Sequence, residues 1–361
     1  MRNTIGDNLT LTIFGESHGT SVGAVLDGIS PGIKIDHDFI NNQLAKRRPN
    51  GKTETARVEA DEYEIVSGVF NGYTTGAPLC ILIPNKNVVS KDYESIKNIA
   101  RPSHADYVAY EKYHGFNDYR GGGHFSGRVT AGIVALGSII IKALESKNIY
   151  IGTHILKCGS VNDTNFAGNV DEIKKLNNKS FPTLDDIEDS IKEEILRCAS
   201  NKDSIGGVLQ TEIVGLPVGL GEPWFSSVEG KLANAVFSIG GVKGIEFGAG
   251  FDFASNTAST LNDSFEIING EVKTKTNNNG GINGGITNSM PVVFNTCIKP
   301  TPSISQKQET IDFVEKKNVS LEITGRHDPA IIRRIAVVID SMVAIVIADL
   351  LQIKYGADFL K

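Results

Sequence analysis

The feature that most constrains the fold is a run of apolar and small residues directly after three consecutive glycines. From Val129 to Ile141 the chain carries no charged residue, which predicts a buried helix. Gly121, Gly122 and Gly123 leave the preceding loop without Cβ atoms and free to adopt positive φ, so peptide N–H groups can turn towards an anion. The N-terminal end of the helix would point back at this loop and strengthen the same anion site.

Arginines flank the loop on both sides. Arg120 and Arg128 carry planar guanidinium groups that match the geometry of phosphate or carboxylate. A glycine-rich turn with two solvated arginines explains the same residues, and the loop alone does not distinguish the two interpretations. The 38 glycines of the chain exceed the roughly 25 expected from an average usage of ~7%. This excess indicates many tight turns or close backbone approaches.

Length, charge and cysteine usage limit the class of protein. At 361 residues the chain corresponds to about two domains of ~150 residues, although single domains reach ~250. The net charge of -6 argues against a nucleic-acid surface held by counterion release, so the arginines favour a pocket for a small anion. The cysteines lack CxxC pairing and metal-ligand spacing, which predicts reduced thiols, no metal site and a reducing cytoplasm. They are Cys80, Cys158, Cys198 and Cys297.

Neither an export signal nor a membrane segment is expected. Asp7 and Asn8 stand where a signal peptide needs an apolar run. The longest apolar helices fall short of ~18 uninterrupted apolar residues. We therefore expect a cytoplasmic protein without membrane contact.

Two histidines stand in motifs suited to catalysis. Alternating apolar and polar residues at 9–13 predict a strand, and His18 follows it on a tight turn that pushes the imidazole out of the sheet. A turn histidine that faces water is the alternative. His104 lies near Arg101 and Asp106, and a pairing of His104 with Asp106 is possible but not implied by their spacing.

A basic cluster ends the first predicted helix, which begins after Asp36 as N-cap and stops before Pro49. Cations complement the negative end of a helix by ~0.3–1 kcal/mol each, which is a sufficient structural explanation. An anion-binding lid is the alternative and is slightly favoured by the clustering. As exposed charges these residues would contribute only ~0–1 kcal/mol to the free energy of unfolding. The cluster comprises Lys46, Arg47, Arg48 and the nearby Lys52.

Periodicity predicts the remaining framework. A packing helix around 184–198 lies within a polar, peripheral excursion at 161–203. Asp328 as N-cap and Pro329 at the first helical position begin an apolar helix that runs to Leu351. Strands are expected at 62–70, 78–83, 206–214 and 291–298, the first two paired as neighbours.

Taken together, the motifs resemble those of chorismate synthases along essentially the whole chain. They are GESHG, RPSHAD, YRGGG, NNNGGINGGI, KPTPSI and GRHDP, in this order. The resemblance implies an α+β fold, a β-α-β sandwich with a helical core between antiparallel sheets, in one domain spanning 1–361. It also implies a homotetramer.

The same resemblance implies a reaction. Its substrate is 5-enolpyruvylshikimate 3-phosphate, which loses phosphate in an anti-1,4-elimination to give chorismate, the last common step of the shikimate pathway. Reduced FMN is required although there is no net redox change. Fungal members of the family carry the flavin reductase activity themselves, whereas bacterial ones generally take reduced flavin from an external reductase, with NADPH only as an indirect reductant. Nothing in this sequence resembles an added reductase domain, so an external flavin reductase is expected. No nucleic-acid or membrane partner is implied.

Roles for individual residues are implied by their positions in the motifs. His18 protonates the leaving phosphate, His104 lies beside the reduced flavin, and Asp328 acts at the flavin N5. The residues implied on the substrate side are Ser17, Arg47, Arg48, Lys52, Arg120 and Arg128. Those implied to bind FMN are His124, Phe125, Ser126, Gly240, Gly241, Gly284, Lys299, Pro300, Thr301, Pro302, Ser303 and Arg326.

The chain departs from the commoner family pattern at several places. After the glycines the family continues Arg-Ser-Ser-Ala-Arg-Glu-Thr, where this chain has HFSGRVT from His124 onwards. One arginine and one carboxylate are therefore missing there. After GRHDP, Ala330 replaces the usual Cys, and Arg333-Arg334 replaces an apolar-Pro pattern. The segment near Lys52 is one residue shorter.

Two other classes of function remain to be compared. An ATP-dependent phosphotransferase would need a strand–GxxxxGK[ST]–helix arrangement and an Asp pair for Mg²⁺, and neither stands out. A non-enzymatic anion-binding protein explains the arginines but leaves His18, His104 and Asp328 without a role.

Overall fold

The structure is a computed structural model. Lys52 and Arg326, both predicted to bind ligands, lie outside the described residues. The residues that the structure describes are 2–51, 53–54, 60–86, 91–323 and 328–361.

The first part of the chain builds one sheet and three helices, of which α3 is a core helix. Its strands are β1 (Thr4–Ile5), β2 (Thr10–Gly15), β3 (Ser21–Asp27), β4 (Glu64–Ser67), β5 (Val69–Phe70), β6 (Tyr73–Thr74) and β7 (Leu79–Pro84). Its helices are α1 (His37–Arg47), α2 (Asp106–Lys112) and α3 (Thr130–Ser146).

The second part builds the other sheet and the long C-terminal helix. Its strands are β8 (Tyr150–Cys158), β9 (Val161–Asn162), β10 (Gly207–Val214), β11 (Val242–Phe247), β12 (Phe265–Ile268), β13 (Glu271–Thr274), β14 (Ile282–Asn283), β15 (Ile286–Thr287), β16 (Val292–Ile298), β17 (Gln308–Asp312) and β18 (Lys317–Leu321). Its helices are α4 (Val170–Asn177), α5 (Glu188–Ser200), α6 (Val228–Phe237), α7 (Ala258–Leu261) and α8 (Ile332–Tyr355).

Both large sheets are antiparallel. In the first, the strand order is β1-β2-β3-β7-β4, and in the second it is β11-β16-β10-β8-β9. The pairing predicted between 62–70 and 78–83 is confirmed, because Glu64 lies opposite Leu82. The predicted strand is interrupted at Gly68, whose φ of +88° and close approach to Leu79 leave no room for a side chain.

The core lies between the two sheets and is filled by α3 and α8. Glycines allow the close approach: a Cβ at Gly132 would lie 3.0 Å from the Ala24 Cβ of the first sheet, and one at Gly137 would lie 2.4 Å from the Ser341 Cβ of α8. On the other side, Ile332 of α8 packs against Gly207 of the second sheet. The expected sandwich, two antiparallel sheets around helices, is confirmed.

Both core helices are long and apolar enough to cross a membrane by length and composition alone. In the segment Gly127–Ser146, 78% of the residues in the most apolar 18-residue window are buried inside the protein. In α8, all residues of the corresponding window are buried. This burial accounts for their apolar composition. They form the packed centre of the sandwich.

The predicted start of the last helix is wrong. Asp328 is not its N-cap, since α8 begins at Ile332, and the capping residue Ile331 makes no side-chain cap hydrogen bond. The reason is non-local. The backbone N–H of Ile205 donates to the Pro329 carbonyl at 2.8 Å, which ties Pro329 to the segment leading into β10, and the helical hydrogen bond from the Ile335 N–H goes to the Ile331 carbonyl at 3.0 Å.

The region 161–203 covers one edge of the second sheet. It contains β9, α4 and α5, and Ile173 and Leu176 of α4 pack over Gly152 in β8. The predicted helix around 184–198 corresponds to α5, whose buried side is formed by Ile191 and Ile195. That this region is a peripheral excursion of a single domain stays a prediction.

Candidate active site

The triple-glycine loop brings the two predicted catalytic histidines together. Gly121, Gly122 and Gly123 have φ values of +59°, +83° and +55°. A Cβ built on Gly121 would lie 2.6 Å from the His18 Nε2, and one built on Gly122 would lie 3.8 Å from the His104 Nε2. Side chains larger than hydrogen would therefore displace His18, which explains why the loop consists of glycine at this point.

His18 is packed into the protein rather than directed into water. It is 6% exposed, and its ring meets Tyr93 edge-on with the ring centroids 5.2 Å apart. The turn that carries it is fastened to the glycine loop, because the Ser17 N–H donates to the Gly123 carbonyl at 3.0 Å. The alternative of a water-facing turn histidine is wrong.

His124 fastens the same turn from the other side. Its Nδ1 lies 2.8 Å from the Gly15 carbonyl, so the histidine that departs from the family pattern contacts backbone here. Phe125 is exposed and approaches Tyr113 edge-on. Ser126 accepts from the Arg128 N–H and caps the short turn that leads into α3.

A charged triad holds His104. The His104 Nδ1 lies 2.8 Å from Asp106 Oδ1, and Arg101 donates to both Asp106 oxygens at 2.8 and 2.7 Å. Burial alone would raise the pKa of Asp106, but hydrogen bonds from Arg101 and His104 outweigh it and hold that pKa well below its usual range. The same Nδ1 also lies 3.1 Å from Arg101 Nη2, so Asp106 and Arg101 together hold the ring, and Nε2 lies on the side of Gly122.

The loop at 299–303 lies against this triad. Lys299 Nζ donates to the Ser103 carbonyl at 2.6 Å, and Arg101 Nη1 lies 3.5 Å from Ser303 Oγ. The backbone N–H of Lys299 donates to the Gly241 carbonyl at 2.9 Å, which joins the Gly240-Gly241 turn to the same region. Burial and nearby Lys243 lower the pKa of Lys299. Pro300 and Pro302, with Thr301 between them, stiffen the loop.

Gly284 lies apart from these residues. It occupies the turn between β14 and β15, and its neighbour Gly285 accepts from the Val228 N–H at 2.9 Å. The hydrogen bonds described for this turn join it to the segment around 220–228. Within the described ranges, none of them reaches His18 or His104.

A cavity of about 210 Å³ opens beside His104. Phe125 and Gly122 form part of its wall together with Arg101. Tyr93, Tyr110, Tyr119 and Phe313 add aromatic surface to a wall that also contains charged and polar residues such as Lys97, Asn98 and Asp118. A flat apolar group with an anionic end matches this lining.

Buried arginines lie on the other side of the loop. The side chain of Asp61 is fully buried. Its Oδ2 forms an ion pair with Arg47 Nη2 at 2.6 Å, and its other oxygen pairs with Arg128. Arg128 further donates to Asn85 Oδ1 at 2.8 Å and to the Pro84 carbonyl at 3.1 Å. Burial lowers the pKa of Arg47, an effect that Asp61 opposes.

The predicted exposure of the helix-end arginines is therefore corrected. Arg47 is only 5% exposed, because its guanidinium turns inwards to a carboxylate instead of extending from the helix end into solvent. Arg48 is half-buried and ends α1, where its N–H donates to the Leu44 and Ala45 carbonyls. A small stability effect of ~0–1 kcal/mol applies to exposed charges only, so it does not hold for Arg47.

Arg120 has a different partner from the other arginines. Its guanidinium donates to both oxygens of Asp118, at 2.8 and 2.7 Å. This contact lowers the pKa of Asp118, and the nearby His18 lowers the same pKa further. Arg120 therefore belongs to the His18 side of the loop rather than to the cluster around Asp61.

Asp328 is connected to the arginine cluster through Arg334. Arg334 Nη1 lies 2.7 Å from Asp328 Oδ2, and Arg334 Nε donates to the Arg47 carbonyl at 2.8 Å. The structural role that competes with catalysis at Asp328 is thus an ion pair and not a helix cap.

Comparison with known proteins identifies the family. A profile of the chorismate synthase family matches residues 9–352. The chain belongs to the chorismate synthase family. Its members are enzymes of the lyase class, so this chain is a lyase. The order of the six motifs therefore pointed to the correct family.

Individual relatives agree along nearly the full length. A chorismate synthase of Pyrococcus abyssi is 45% identical over 344 residues, covering 95% of this chain and 96% of the relative. One of Methanocaldococcus jannaschii is 43% identical over 372 residues, covering 99% and 97%. A crystal structure of a chorismate synthase has a TM-score of 0.77 at 28% identity and covers 98% of this chain and 95% of that one.

Asp61 and Asp106 were not predicted as site residues. Asp106 stands in a motif beside His104, and only its role as an ion partner was left open. Asp61 carries no sequence signal, because the arginines that it joins are distant in the chain. Its role is visible only in the three-dimensional structure, where both arginines contact its carboxylate.

Replacement of Asp106 by Asn should lower kcat by about 10-fold or more. The amide keeps the size but not the charge that orients His104, and a positioned acid–base group contributes ~10²–10⁴-fold to a rate. Steady-state kinetics at saturating reduced flavin measures the effect. Asp185→Asn, an exposed aspartate of the 161–203 region, is the control and should keep wild-type kcat. A normal kcat for Asp106→Asn would contradict the role.

Replacement of Asp328 by Asn separates catalysis from ion pairing. Asn still accepts from Arg334, so the free energy of unfolding should fall by no more than about 1–3 kcal/mol, the scale of a hydrogen bond to a charged group. If the Asp328 carboxylate takes part in the reaction, its loss should remove most of the rate. Normal turnover would leave Asp328 only as the partner of Arg334.

Proposed function

We propose that this protein converts 5-enolpyruvylshikimate 3-phosphate into chorismate and phosphate by an anti-1,4-elimination that requires reduced FMN without net redox change. The observation that carries the proposal is the convergence of His18 and His104 on one triple-glycine loop, between a buried arginine cluster and an aromatic cavity. In the shikimate pathway this reaction is the last common step.

The arginine side of the loop suits the anionic substrate. The substrate carries two carboxylates and a phosphate, and guanidinium groups are the best match for both kinds of anion. The Nε atoms of Arg47 and Arg48 are buried and have no hydrogen-bond partner among the described residues. Such donors are costly to bury unless an anion completes them. We assign Arg47, Arg48, Arg120, Arg128 and Lys52 to substrate binding.

His18 is assigned as the acid for the departing phosphate. Its Nε2 is directed at the backbone of Gly121, where the peptide N–H groups of the glycine loop can hold phosphate oxygens. Its small exposure keeps bulk water from competing for the proton. Ser17 Oγ is buried next to it without a hydrogen-bond partner within the described part of the chain, and can donate to the same phosphate.

The residues on the His104 side fit FMN. Thr301 Oγ1 is buried and unpaired among the described residues, Lys299 supplies a cation, and the aromatic cavity accepts a planar ring. His124, Phe125, Ser126, Gly240, Gly241, the segment 299–303 and Arg326 would hold the cofactor. Gly284 lies apart from them in one chain, so its assignment needs a second copy of the chain. When bound, reduced FMN would supply electron density that assists departure of the phosphate and would regain it as the C–H bond is lost.

Each of the protein's own groups has a separate role in the proposed reaction. Arginines hold the substrate, His18 holds the proton that the leaving phosphate takes, and Asp106 fixes the His104 ring so that Nε2 faces the loop. Asp328, held by Arg334, is the carboxylate available as a base. His104 and Asp328 act on the side from which the C–H proton departs.

The cellular setting completes the proposal. We place the enzyme in the cytoplasm, supplied with reduced flavin by an external reductase for which NADPH is the indirect reductant. Assembly into a homotetramer is supported by large side chains such as Phe225, which is 98% exposed, and by the nearby exposed Trp224.

Dependence on the flavin redox state tests the proposal. Purified protein is incubated anaerobically with the substrate and with FMN reduced by dithionite, oxidised FMN or no flavin. Chorismate should form only with reduced FMN, and ATP should make no difference. Phosphate release that is indifferent to flavin would indicate a phosphatase, and a requirement for ATP would indicate a phosphotransferase.

A further inference from the structure

The C-terminal end of α1 carries both Arg47 and Arg48, so whatever fixes this end fixes two substrate cations. The last four carbonyls of a helix lack partners within the helix. At this end the Arg48 N–H donates to the Leu44 and Ala45 carbonyls, both at 3.2 Å. The carbonyls of the next three residues need donors from elsewhere.

Two arginines of α8 supply those donors. Arg333 Nη1 donates to the Lys46 carbonyl at 3.0 Å, and Arg333 Nη2 donates to the Arg48 carbonyl at 2.6 Å. Between them, Arg334 Nε donates to the Arg47 carbonyl at 2.8 Å. The end of α1 is thus capped by side chains from another helix, and Arg333 holds it at two points.

Arg333 also fixes the loop that follows α1. Its Nε and Nη2 donate to both oxygens of Glu54, at 2.5 and 2.6 Å, and its Nη1 lies 3.4 Å from the Ser180 carbonyl. Glu54 in turn accepts from the Asn50 N–H at 2.6 Å. With these contacts every N–H of the guanidinium has an acceptor. The pair is buried, so the geometry is not shared with solvent.

We infer that Arg333 is a positioning residue, which sets the direction of Arg47 and Arg48 towards the substrate by bracing α1 against Glu54. The inference rests on the proposed function, in which those arginines bind the substrate's anionic groups. The end of α1 is held in this way by contacts from α8 and, through Glu54, from the loop that follows α1.

Arg333→Lys tests the brace, because a lysine keeps the charge opposite Glu54 but cannot donate as a planar fork to a carboxylate and three carbonyls. KM for the substrate should rise by about 10-fold or more, since small displacements of binding groups cost up to ~10²-fold. kcat and FMN affinity should stay within about two-fold. Hydrogen exchange at the amides of residues 44–50 should become faster. Steady-state kinetics, flavin titration and exchange measured by mass spectrometry give these values.

Two further variants guard against loss of folding and against a general effect of the substitution. Glu54→Gln/Arg333→Gln leaves no buried unpaired charge and should show the same rise in KM. Arg197→Lys is the matched control. Arg197 makes the same forked contact to a glutamate, Glu194, at 2.9 Å for both bonds, but on the surface helix α5. It should change neither KM nor exchange at residues 44–50.

The outcomes separate the brace from the proposed function. Wild-type KM or unchanged exchange in both Arg333 variants would overturn the inference. If Arg48→Ala also leaves KM unchanged, then the assignment of this arginine to the substrate fails, and the error lies in the proposed function. Faster exchange with raised KM in the Arg333 variants, together with raised KM in Arg48→Ala, supports both.

Discussion

Replacing His18 with Ala is expected to lower the rate of chorismate formation by about 10²–10⁴-fold, the effect of removing a general acid. FMN affinity should remain near wild type, because His18 lies on the Gly121 side of the loop and the residues assigned to FMN lie around His104. The pH–rate profile should lose one limb, since the titrating acid is gone. Single-turnover kinetics and flavin titration measure the two effects separately.

An exposed histidine provides the control for this experiment. His37 on α1 is exposed, stacks on Tyr63, and its Nδ1 lies 2.7 Å from the tyrosine hydroxyl. His37→Ala should keep the wild-type rate and the full pH profile. If His18→Ala also keeps them, His18 serves only to pack the turn against Tyr93.

Replacing Asp61 with Asn should destabilise the protein by about 3–5 kcal/mol, the cost of removing one partner of a buried ion pair. Asp61 is shared by Arg47 and Arg128, and neither pair is exposed to solvent that could screen it. Urea unfolding gives the change as the shift in midpoint multiplied by the m-value. Sulfate should restore more stability to the variant than to the wild type, since an anion that binds the folded state stabilises it.

A surface carboxylate with a lysine partner serves as the control. Asp7 pairs with Lys231 but is half exposed, so Asp7→Asn should change the free energy of unfolding by only ~0–1 kcal/mol. Equal stability losses for Asp61→Asn and Asp7→Asn would mean that the arginine cluster does not depend on its shared carboxylate.

Elements defined by local patterns could be predicted from the sequence. Asp36 caps α1 as expected, because its side chain accepts from the Phe39 N–H at 2.9 Å. The uncharged run after the glycines forms α3 in the core. The start of α8 could not be predicted, since the Pro329 carbonyl is bound by Ile205 from a distant segment. Local capping signals do not reveal such a long-range contact.

The site was predictable only in part. Motif order pointed to His18, His104 and Asp328, but the local sequence around His18 alone favoured a solvated turn residue over a catalytic one. The exposure of Arg47 was misjudged because nothing near it in sequence indicates Asp61 as its partner. Likewise the brace by Arg333 depends on contacts between α8, α1 and Glu54. Long-range polar contacts of this kind follow from the packing of the sandwich and not from residue spacing.

The most direct test of the central claim is a joint measurement of both products in one anaerobic reaction with reduced FMN. Phosphate and chorismate are quantified from the same samples as the substrate is consumed. The account predicts that they accumulate in equal molar amounts, while the reduced flavin is fully recovered at the end. Phosphate released in excess of chorismate, or flavin oxidised in proportion to product, would contradict an elimination without net redox change.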